Sequence, residues 1–404
     1  MRHFPVTLLW LMIASFCLAN TAHASVVSIK DNVCANLDAN LDAMLDVAQI
    51  TNTPVMDEAG MTAKIALRPA SKDWRIAVIT INDAEARPFA EIRLGKGCVV
   101  MQSRQIARNA DGDITAIHDL GPDLKKIVQT TLVNPEQAFT PNPTDANPQI
   151  ALIDTGVNYT LPAFWPHIAV DKSGKLIGFD FWDNDPWPYD SDPRRTPFYP
   201  THHGSTVFSV LADEAPEAMI SVYRFPALEM CRFTELLAHI AGTSARLVNL
   251  SMGSNDPEDW LCFAEAAQAM PQFLFVVSAG NNGRNIDLQP VYPASLALAN
   301  MVVVSSSDNF GVLGVGSNFG PEHVDVLVPG ERVSIIDHRG AKAKTGGTSY
   351  AAPRVTALLA RYLAKNPDAT PVQMIDFLRK RAIGTADPLS KFGWIPDPSD
   401  DFGF

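Results

Sequence analysis

From residue 148 onward, short apolar runs alternate with stretches of helical periodicity, and this alternation constrains the fold more than any other feature of the sequence. The runs lie at residues 150–153, 219–223, 247–250, 273–277, 301–304 and 324–328, and amphipathic helix candidates lie between several of them, at 207–212, 233–241 and 259–270. Continuous apolar strands alternating with helices predict an α/β domain, over residues 148–390, with helices on both faces of a mostly parallel sheet. Functional residues in such a fold lie at the carboxyl ends of the strands.

The residues before this domain follow a different pattern, which predicts a smaller α+β domain over 25–145. Leucines at a spacing of four predict a helix over 35–50, and a second helix is predicted over 122–132, where a proline suits the first turn. Strand-like runs lie between them at 75–81, 90–94 and 98–101, and Asp111-Gly112-Asp113 predicts a turn between two further strands. The proline-rich segment 134–147 predicts a linker at the end of this domain. Residues 391–404 are left as a short C-terminal tail.

The first 24 residues have the pattern of a signal peptide. Arg2 precedes an apolar stretch at 6–18, and Ala22-His23-Ala24 offers small residues at a cleavage site. The stretch is shorter than the roughly 20 apolar residues of a membrane span. We therefore expect an exported protein, periplasmic or secreted, with no membrane attachment after signal removal. The formal net charge of -12 and the lack of a dense basic run argue against nucleic acid as a partner.

Four cysteines remain once a signal peptide is removed: Cys34, Cys98, Cys231 and Cys262. An even number in an exported chain predicts two disulfides, for which three pairings exist. We favour Cys34 with Cys98 and Cys231 with Cys262, because each pair then stays within one predicted domain. Four buried thiols are the alternative.

Three short motifs carry the groups of an activated nucleophile. Asp154-Thr155-Gly156 follows the first apolar run, and His203-Gly204-Ser205-Thr206 opens a helix candidate. Ser349 lies in an octet, 346–353, where a glycine turn delivers its hydroxyl to the start of an apolar helix, and the final proline, Pro353, suits a first helical turn. A serine hydroxyl becomes a nucleophile when a histidine removes its proton and a carboxylate orients that histidine.

Each motif has a simpler interpretation when it is taken alone. Asp154-Thr155-Gly156 is typical of an Asx turn after a strand, and also of aspartic proteases, which would here require a dimer. Adjacent His202 and His203 rarely ligate one metal ion, and no HExxH helix or cysteine cluster accompanies them. We expect His202 to have a packing or solvent role. Gly204, by its missing side chain, would let other groups approach the imidazole of His203.

Together these motifs resemble the subtilisin family of serine proteases (subtilases), in the family's order of aspartate, histidine and serine. The resemblance spans roughly residues 148–390. It implies that Asp154 orients the histidine, that His203 is the general base, and that Ser349 attacks the substrate carbonyl. It also implies that Asn281, within the segment 278–283, supplies the oxyanion-hole amide, with Asn282 as the alternative if the register differs by one residue.

The resemblance also indicates how a substrate would bind. Ser251, Met252 and Gly253 match the strand-end segment along which the family pairs an extended peptide, with Gly253 leaving backbone groups open, and Gly280 lies beside the oxyanion asparagine. Protein or peptide substrates are therefore implied. The sequence departs from the family pattern at two positions that border the site. Thr206 stands where a second histidine is usual, and Tyr350 stands where a methionine is usual.

No cofactor is required for the implied chemistry. Many subtilases bind calcium, and the carboxylates of the loop 180–187 are candidates for a structural ion. The loop lacks the spacing of an EF-hand, so we favour a solvated acidic loop over a metal site.

The expected function is that of an exported serine endopeptidase that works through an acyl-enzyme. By position, residues 25–145 are expected to be an intramolecular inhibitor that self-cleavage in the linker 134–147 removes; a retained accessory domain is the alternative. A catalytically silent subtilase-fold protein that binds peptides is the main competing function. An esterase is less favoured, because the Gly-x-Ser-x-Gly elbow of α/β-hydrolases is absent around Ser349.

Overall fold

A computed structural model describes residues 26–35, 50–56, 60–69, 75–140, 148–225, 229–384 and 388–404. The chain divides into two compact units, of which the first contains Met1–Pro135 with Pro193–Pro200 and the second contains Glu136–Asp192 with Thr201–Phe404. The predicted signal peptide, most of the predicted helix over 35–50 and residues 141–147 of the predicted linker lie outside the described residues.

The first unit contains a seven-stranded antiparallel sheet in which the strands follow chain order. The strands are β1 (Ile50–Met56), β2 (Thr62–Pro69), β3 (Arg75–Asn82), β4 (Pro88–Leu94), β5 (Val100–Arg108), β6 (Ile114–Leu120) and β7 (Ile127–Leu132). A helix over residues 26–35, α1, packs Val26, Ile29 and Val33 on the apolar side chains of β3 and β4. The predicted disulfide between Cys34 and Cys98 is present within this unit.

The prediction of a helix over 122–132 is wrong, because these residues form a turn followed by β7. Asp123 Oδ1 accepts the backbone N–H groups of Lys125 and Lys126 at 3.0 and 2.9 Å, which stabilises the turn. Ile127–Leu132 then supplies mostly β-branched residues, which favour a pleated strand over a helix. The predicted turn at Asp111-Gly112-Asp113 is confirmed between β5 and β6.

The second unit is built on an eight-stranded sheet in which every pairing is parallel, as predicted. Its strands are β8 (Ile150–Asp154), β9 (Gly178–Asp180), β10 (Ile220–Arg224), β11 (Leu247–Leu250), β12 (Leu274–Ser278), β13 (Met301–Ser307), β14 (Val326–Pro329) and β17 (Gly393–Trp394). Their order in the sheet is β17-β14-β13-β12-β11-β8-β10-β9. The last strand, β17, comes from the segment that the sequence assigned to a C-terminal tail. A separate antiparallel hairpin consists of β15 (Val333–Ile336) and β16 (Lys342–Thr345).

Helices cover both faces of this sheet. They are α2 (Gly204–Glu214), α3 (Phe233–Ala241), α4 (Leu261–Gln268), α5 (Thr348–Lys365) and α6 (Pro371–Arg381). Ile150 and Leu152 of β8 contribute to the core shared with α2, α5 and α6, whereas Ala151 and Ile153 contribute to the core shared with α3 and α4. Side chains alternate between the faces of a strand, so a strand buried on both faces must be apolar throughout. The disulfide between Cys231 and Cys262 joins the turn before α3 to α4.

The strand order reverses between β8 and β11, which are neighbours in space although β9 and β10 separate them in sequence. Ile153 is paired with Leu250. The next residue in each segment, Asp154 after Ile153 and Ser251 after Leu250, therefore lies beside the other at the carboxyl edge of the sheet. A reversal of this kind opens a crevice in which ligands bind. Helices α2 and α5 pack against each other and against the same face of the sheet. Within the described residues, no helix combines the length and apolar content needed for a membrane span.

Candidate active site

Asp154 and His203 are joined by a hydrogen bond between the end of β8 and the start of α2. His203 Nδ1 lies 2.8 Å from Asp154 Oδ1, and the same oxygen accepts the Thr155 N–H at 2.7 Å. The Asp154 side chain is 2% exposed and that of His203 is 27% exposed. With an ionised carboxylate as acceptor, Nδ1 carries the hydrogen and Nε2 is left as the basic nitrogen of the neutral ring.

The pKa of His203 lies above its ordinary value. Burial lowers the pKa, but the charge and hydrogen bond of Asp154, together with the charges of Asp190 and Asp192, raise it by more. More than a quarter of the ring is exposed to solvent, so the loss of hydration is incomplete. The imidazole therefore stays protonated to a higher pH than a free histidine and acts as a base only above that range.

Two glycines allow the start of α2 to approach the loop after β8. A Cβ on Gly204 would lie 1.9 Å from the carbonyl oxygen of Gly156, and a Cβ on Gly156 would lie 2.4 Å from the carbonyl oxygen of Tyr189. Gly156 also has a φ of +95°, which favours glycine. The space beside Gly204 is thus taken by the Gly156 carbonyl. From the sequence, we expected Gly204 to let other groups approach the imidazole of His203. The structure instead explains this glycine by the close packing of its backbone against that of Gly156.

Ser349 lies in the first turn of α5, after Gly347, which has a φ of 122°. Pro353 lies inside the helix and not in its first turn, so that expectation is wrong. Because proline has no N–H, the Ser349 carbonyl lacks the donor that a regular helix would provide four residues later. Ser251 Oγ donates to this carbonyl at 3.2 Å instead.

A series of buried side-chain hydrogen bonds leads from Ser251 through Asn249 to Thr356. Asn249 Nδ2 donates to Ser251 Oγ at 3.2 Å, and Thr356 Oγ1 of α5 donates to Asn249 Oδ1 at 2.9 Å. Asn249 and Thr356 are fully buried, and these bonds satisfy their polar groups. This series ties the end of β11 to the helix that carries Ser349. The sequence analysis missed Asn249 and Thr356, because neither stands in one of the motifs that carry the predicted site residues.

Asn281 lies beside the start of α5, and its side-chain amide has a fixed orientation. Its Oδ1 accepts the Thr348 N–H at 3.0 Å and Thr348 Oγ1 at 3.2 Å. Thr348 Oγ1 in turn accepts the Gly280 N–H at 3.1 Å. With the amide oxygen engaged, Nδ2 is the group that Asn281 offers to a ligand.

A cavity of about 290 Å³ brings the predicted substrate-binding residues together with Ser349 and Asn281. Its lining includes Ser251, Met252, Gly253, Gly280, Asn281 and Ser349. A Cβ on Gly253 would lie 2.6 Å from the carbonyl oxygen of Tyr292, whose backbone pairs with that of Ser254. Close packing therefore explains this glycine, in addition to the predicted access for a peptide backbone.

The two departures from the family pattern contact each other beside His203. Thr206 Oγ1 donates to the His203 carbonyl at 2.6 Å and lies 3.2 Å from the Tyr350 hydroxyl. The Tyr350 and His203 rings are 6.0 Å apart between centroids. Tyr350 follows Ser349 directly, so this contact brings the helix start that carries the serine next to the imidazole.

In the acidic loop 180–187, Asp180 departs from the expected solvated character, whereas Asp183 is exposed. Asp180 is fully buried, and Asp180 Oδ2 and Asp183 Oδ2 both accept from Arg224 Nη1, at 2.7 and 2.5 Å. Arg224 Nε donates to the Ser191 carbonyl at 2.8 Å. The guanidinium thus occupies the position between the carboxylates that a cation would take.

In the part of the chain that the structure describes, one group of residues has metal-ligand atoms within 4.8 Å of one another: Asp287, Glu322 and His323. The Asp287 carboxylate is already engaged there, because it accepts the N–H groups of Glu322 and His323 and contacts His323 Nδ1 at 2.8 Å. These hydrogen bonds explain why the three residues lie close together, and no ion is needed for that explanation. His202, as expected, has a packing role, since its ring stacks on His338 at 3.6 Å between centroids.

Comparison with known proteins agrees with the resemblance that the three sequence motifs indicate. The Subtilase family profile matches residues 145–394. A thermophilic serine proteinase of Bacillus sp. (strain AK1) is 29% identical over 262 residues, which cover 61% of this chain and 58% of the relative. The Minor extracellular protease Epr of Bacillus subtilis (strain 168) is 26% identical over 277 residues, covering 64% of this chain and 39% of the relative. The chain thus spans less than two thirds of the length of these relatives.

Solved structures with the same fold include a cold adapted subtilisin-like serine proteinase and a lanthipeptide protease. The first has a TM-score of 0.50 at 22% identity and covers 66% of this chain and 93% of its own. The second has a TM-score of 0.51 at 20% identity and covers 62% of this chain and 87% of its own. At these identities the likeness concerns the fold alone.

Proposed function

Because the chain belongs to the subtilase family, we propose that it is a serine endopeptidase that cleaves peptide bonds through an acyl-enzyme on Ser349. The observation that carries this proposal is the 2.8 Å hydrogen bond from His203 Nδ1 to Asp154 Oδ1 at the carboxyl edge of the sheet. It supplies an oriented base, and the cavity lined by Ser349 and Asn281 supplies a place for the substrate.

In the proposed reaction, His203 Nε2 takes the proton of Ser349 Oγ while Oγ attacks the substrate carbonyl carbon. Asp154 stabilises the resulting imidazolium, which then gives its proton to the departing amine. A water molecule attacks the acyl-enzyme by the same route and releases the acid. The proposed chemistry uses no cofactor.

The negative charge that develops on the carbonyl oxygen requires donors that are in place beforehand. We assign this role to Asn281 Nδ2, because its amide oxygen is held by Thr348, and to the backbone N–H of Ser349 at the start of α5. The substrate backbone would extend along Ser251, Met252 and Gly253, with Gly280 lining the same cavity.

The proposal is tested by labelling the purified protein with a fluorophosphonate probe. Wild type should react, Ser349→Ala should not, and Ser334→Ala, an exposed serine in β15, should react at the wild-type rate. Labelling that persists in Ser349→Ala would place the nucleophile elsewhere. A wild-type protein that is folded but unreactive would favour the alternative, a catalytically silent protein that binds peptides.

Export to the periplasm or beyond is also part of the proposal. It is supported by the signal-like sequence at 1–24 and by two disulfides, which persist in oxidising compartments. One relative is named an extracellular protease. A structural calcium ion in the loop 180–187 would have to displace Arg224 from Asp180 and Asp183, so we assign none there.

We further propose that the predicted linker 134–147 is cut by the protein itself and that residues 25–145 inhibit it before the cut. Pro193–Pro200, from the middle of the chain, belongs to the first compact unit. There the guanidinium groups of Arg93 and Arg104 lie over the Tyr199 ring, at 3.9 and 4.3 Å from its centroid. This packing favours retention of the cut N-terminal part.

Mass spectrometry would test the cut, and size-exclusion chromatography would test whether the two pieces stay together. Wild type should yield two fragments that elute together, whereas Ser349→Ala should remain uncut. Identical fragments from both proteins would disprove self-cleavage.

A further inference from the structure

Asp190 is a fully buried carboxylate next to the proposed active site. It lies between β9 and α2, and its two oxygens accept three hydrogen bonds. Thr155 Oγ1 donates to Oδ1 at 2.6 Å, the His203 N–H donates to the same oxygen at 3.2 Å, and the Ser205 N–H donates to Oδ2 at 2.9 Å. All three donors belong to the two segments that carry Asp154 and His203.

The Thr155 hydroxyl connects these segments a second time. It accepts the N–H groups of His203 at 3.1 Å and Gly204 at 2.8 Å. A hydroxyl has one hydrogen, and here Asp190 accepts it, so the lone pairs of Oγ1 are directed at the start of α2. Asp154 holds the ring of His203, while its neighbour Thr155 holds the backbone of the same residue.

A carboxylate removed from water is costly unless hydrogen bonds replace its hydration. Burial raises the pKa of Asp190, while the charge of His202 and the hydrogen bonds from Ser205 and Thr155 lower it. The position of Asp190 at the amino-terminal end of α2, where free N–H groups and the helix dipole favour a negative charge, also supports the ionised form. The same hydrogen bonds hold the backbone at His203, which is the base of the proposed reaction.

We propose that Asp190 is a positioning residue for His203, which fixes the imidazole against Asp154 by holding both the Thr155 hydroxyl and the start of α2. This inference rests on the proposed function, in which His203 is the base. Asp190 itself touches neither the substrate nor the nucleophile, and it acts through the backbone and the electrostatic field of His203.

The electrostatic part of this role has a definite sign. The charged and titratable groups around His203 are Asp154 on β8, Asp190 and Asp192 before α2, His202 next in the chain and Tyr350 on α5. Burial lowers the pKa of His203, and the charges of Asp154, Asp190 and Asp192 raise it. Removing the charge of Asp190 should therefore lower that pKa.

The primary test is Asp190→Asn, which keeps the side-chain volume and removes the charge. We expect kcat to fall by about tenfold to a hundredfold, because small displacements of a catalytic group cost factors of this size, with KM within about twofold. The acid limb of the kcat/KM profile should move to lower pH. The matched control is Asp171→Asn, which makes the same charge change at a residue that bonds within its own surface turn.

A second measurement does not depend on turnover. In a Ser349→Ala background, NMR titration of the His203 ring compares its pKa with and without Asp190→Asn, and we expect a lower value in the double variant. An unchanged His203 pKa together with kcat within twofold of wild type would overturn the inference. If wild type fails to react with the fluorophosphonate, the proposed function fails, while the titration still tests Asp190.

A pair of variants at Thr155 covers the case in which Asp190→Asn does not fold. Thr155→Ser keeps the hydroxyl and should retain kcat within about threefold of wild type. Thr155→Val removes the hydroxyl and should lose about as much kcat as Asp190→Asn does. Wild-type kcat in folded Thr155→Val would also overturn the inference.

Discussion

If Asn281 is an oxyanion donor, the role of its amide nitrogen in catalysis can be separated by mutation from the role of its amide oxygen in stability. Asn281 Oδ1 accepts two bonds from Thr348, whereas Nδ2 is the donor proposed for the transition state. Asn281→Asp keeps the acceptor oxygen and the side-chain volume but removes the donor. Asn281→Ala removes both.

The expected magnitudes differ for catalysis and for stability. Loss of an oxyanion donor costs about 10²–10³ in kcat, so both variants should fall by at least this factor while KM changes little. Thr348 is fully buried, so Asn281→Ala also leaves its donors without their acceptor, which costs about 1–3 kcal/mol of unfolding free energy. Asn281→Asp should retain most of that stability.

The assay combines kcat and KM on a fluorogenic peptide with urea unfolding of each variant. Asn282→Asp is the comparison, because Asn282 is the neighbouring amide that also lines the cavity. A kcat for Asn281→Asp within threefold of wild type would refute the assignment. A larger loss of kcat in Asn282→Asp than in Asn281→Asp would move the donor by one residue.

Two further predictions concern the framework. Gly204→Ala should abolish activity or folding, because its Cβ would lie 1.9 Å from a backbone oxygen, whereas Gly384→Ala, with open space around it, should behave as wild type in activity and thermal unfolding. Arg224→Met should cost about 3–5 kcal/mol in urea unfolding, because it leaves Asp180 buried without its partner. Burial raises the pKa of Asp180 to about 6, so this cost should be smaller at pH 5, where the carboxyl is protonated, than at pH 8. Arg339→Met, at an exposed ion pair, should cost less than about 1 kcal/mol, and an equal loss in both arginine variants would contradict the reasoning.

The fold of the second unit could be predicted because its strands are buried on both faces. Each of the six apolar runs became a parallel strand, since only apolar side chains can fill two helix-covered faces at once. The first unit was harder to predict. The apolar residues of Ile127–Leu132 fit a helix as well as a strand, and what decides is the turn at Asp123 and pairing with β6, which is a long-range interaction.

For the candidate site, too, some residues can be predicted from the local sequence, whereas others depend on contacts with residues far away in the chain. Asp154, His203 and Ser349 stand in short motifs whose residue types are dictated by the proposed chemistry, so the sequence predicts them as site residues. Asp190 and Thr356 stand in no motif, and their roles arise from hydrogen bonds to residues 35 and 107 positions away. Only the folded chain brings these partners together.

The contact between Thr206 and Tyr350 gives the two departures from the family pattern a common explanation. Each residue alone replaces a side chain of different size and polarity at the border of the site. In the folded chain, the hydroxyl of one lies 3.2 Å from the hydroxyl of the other, and Thr206 also donates to the carbonyl of His203. Because the single hydrogen of the Thr206 hydroxyl is donated to the His203 carbonyl, the Tyr350 hydroxyl is the donor to Thr206 Oγ1. A methionine at position 350 has no hydrogen to donate, so the tyrosine has a hydrogen-bonding reason to accompany the threonine. The two changes are best understood as one unit that joins α2 to α5 beside the imidazole, and such neighbouring substitutions are expected to act non-additively.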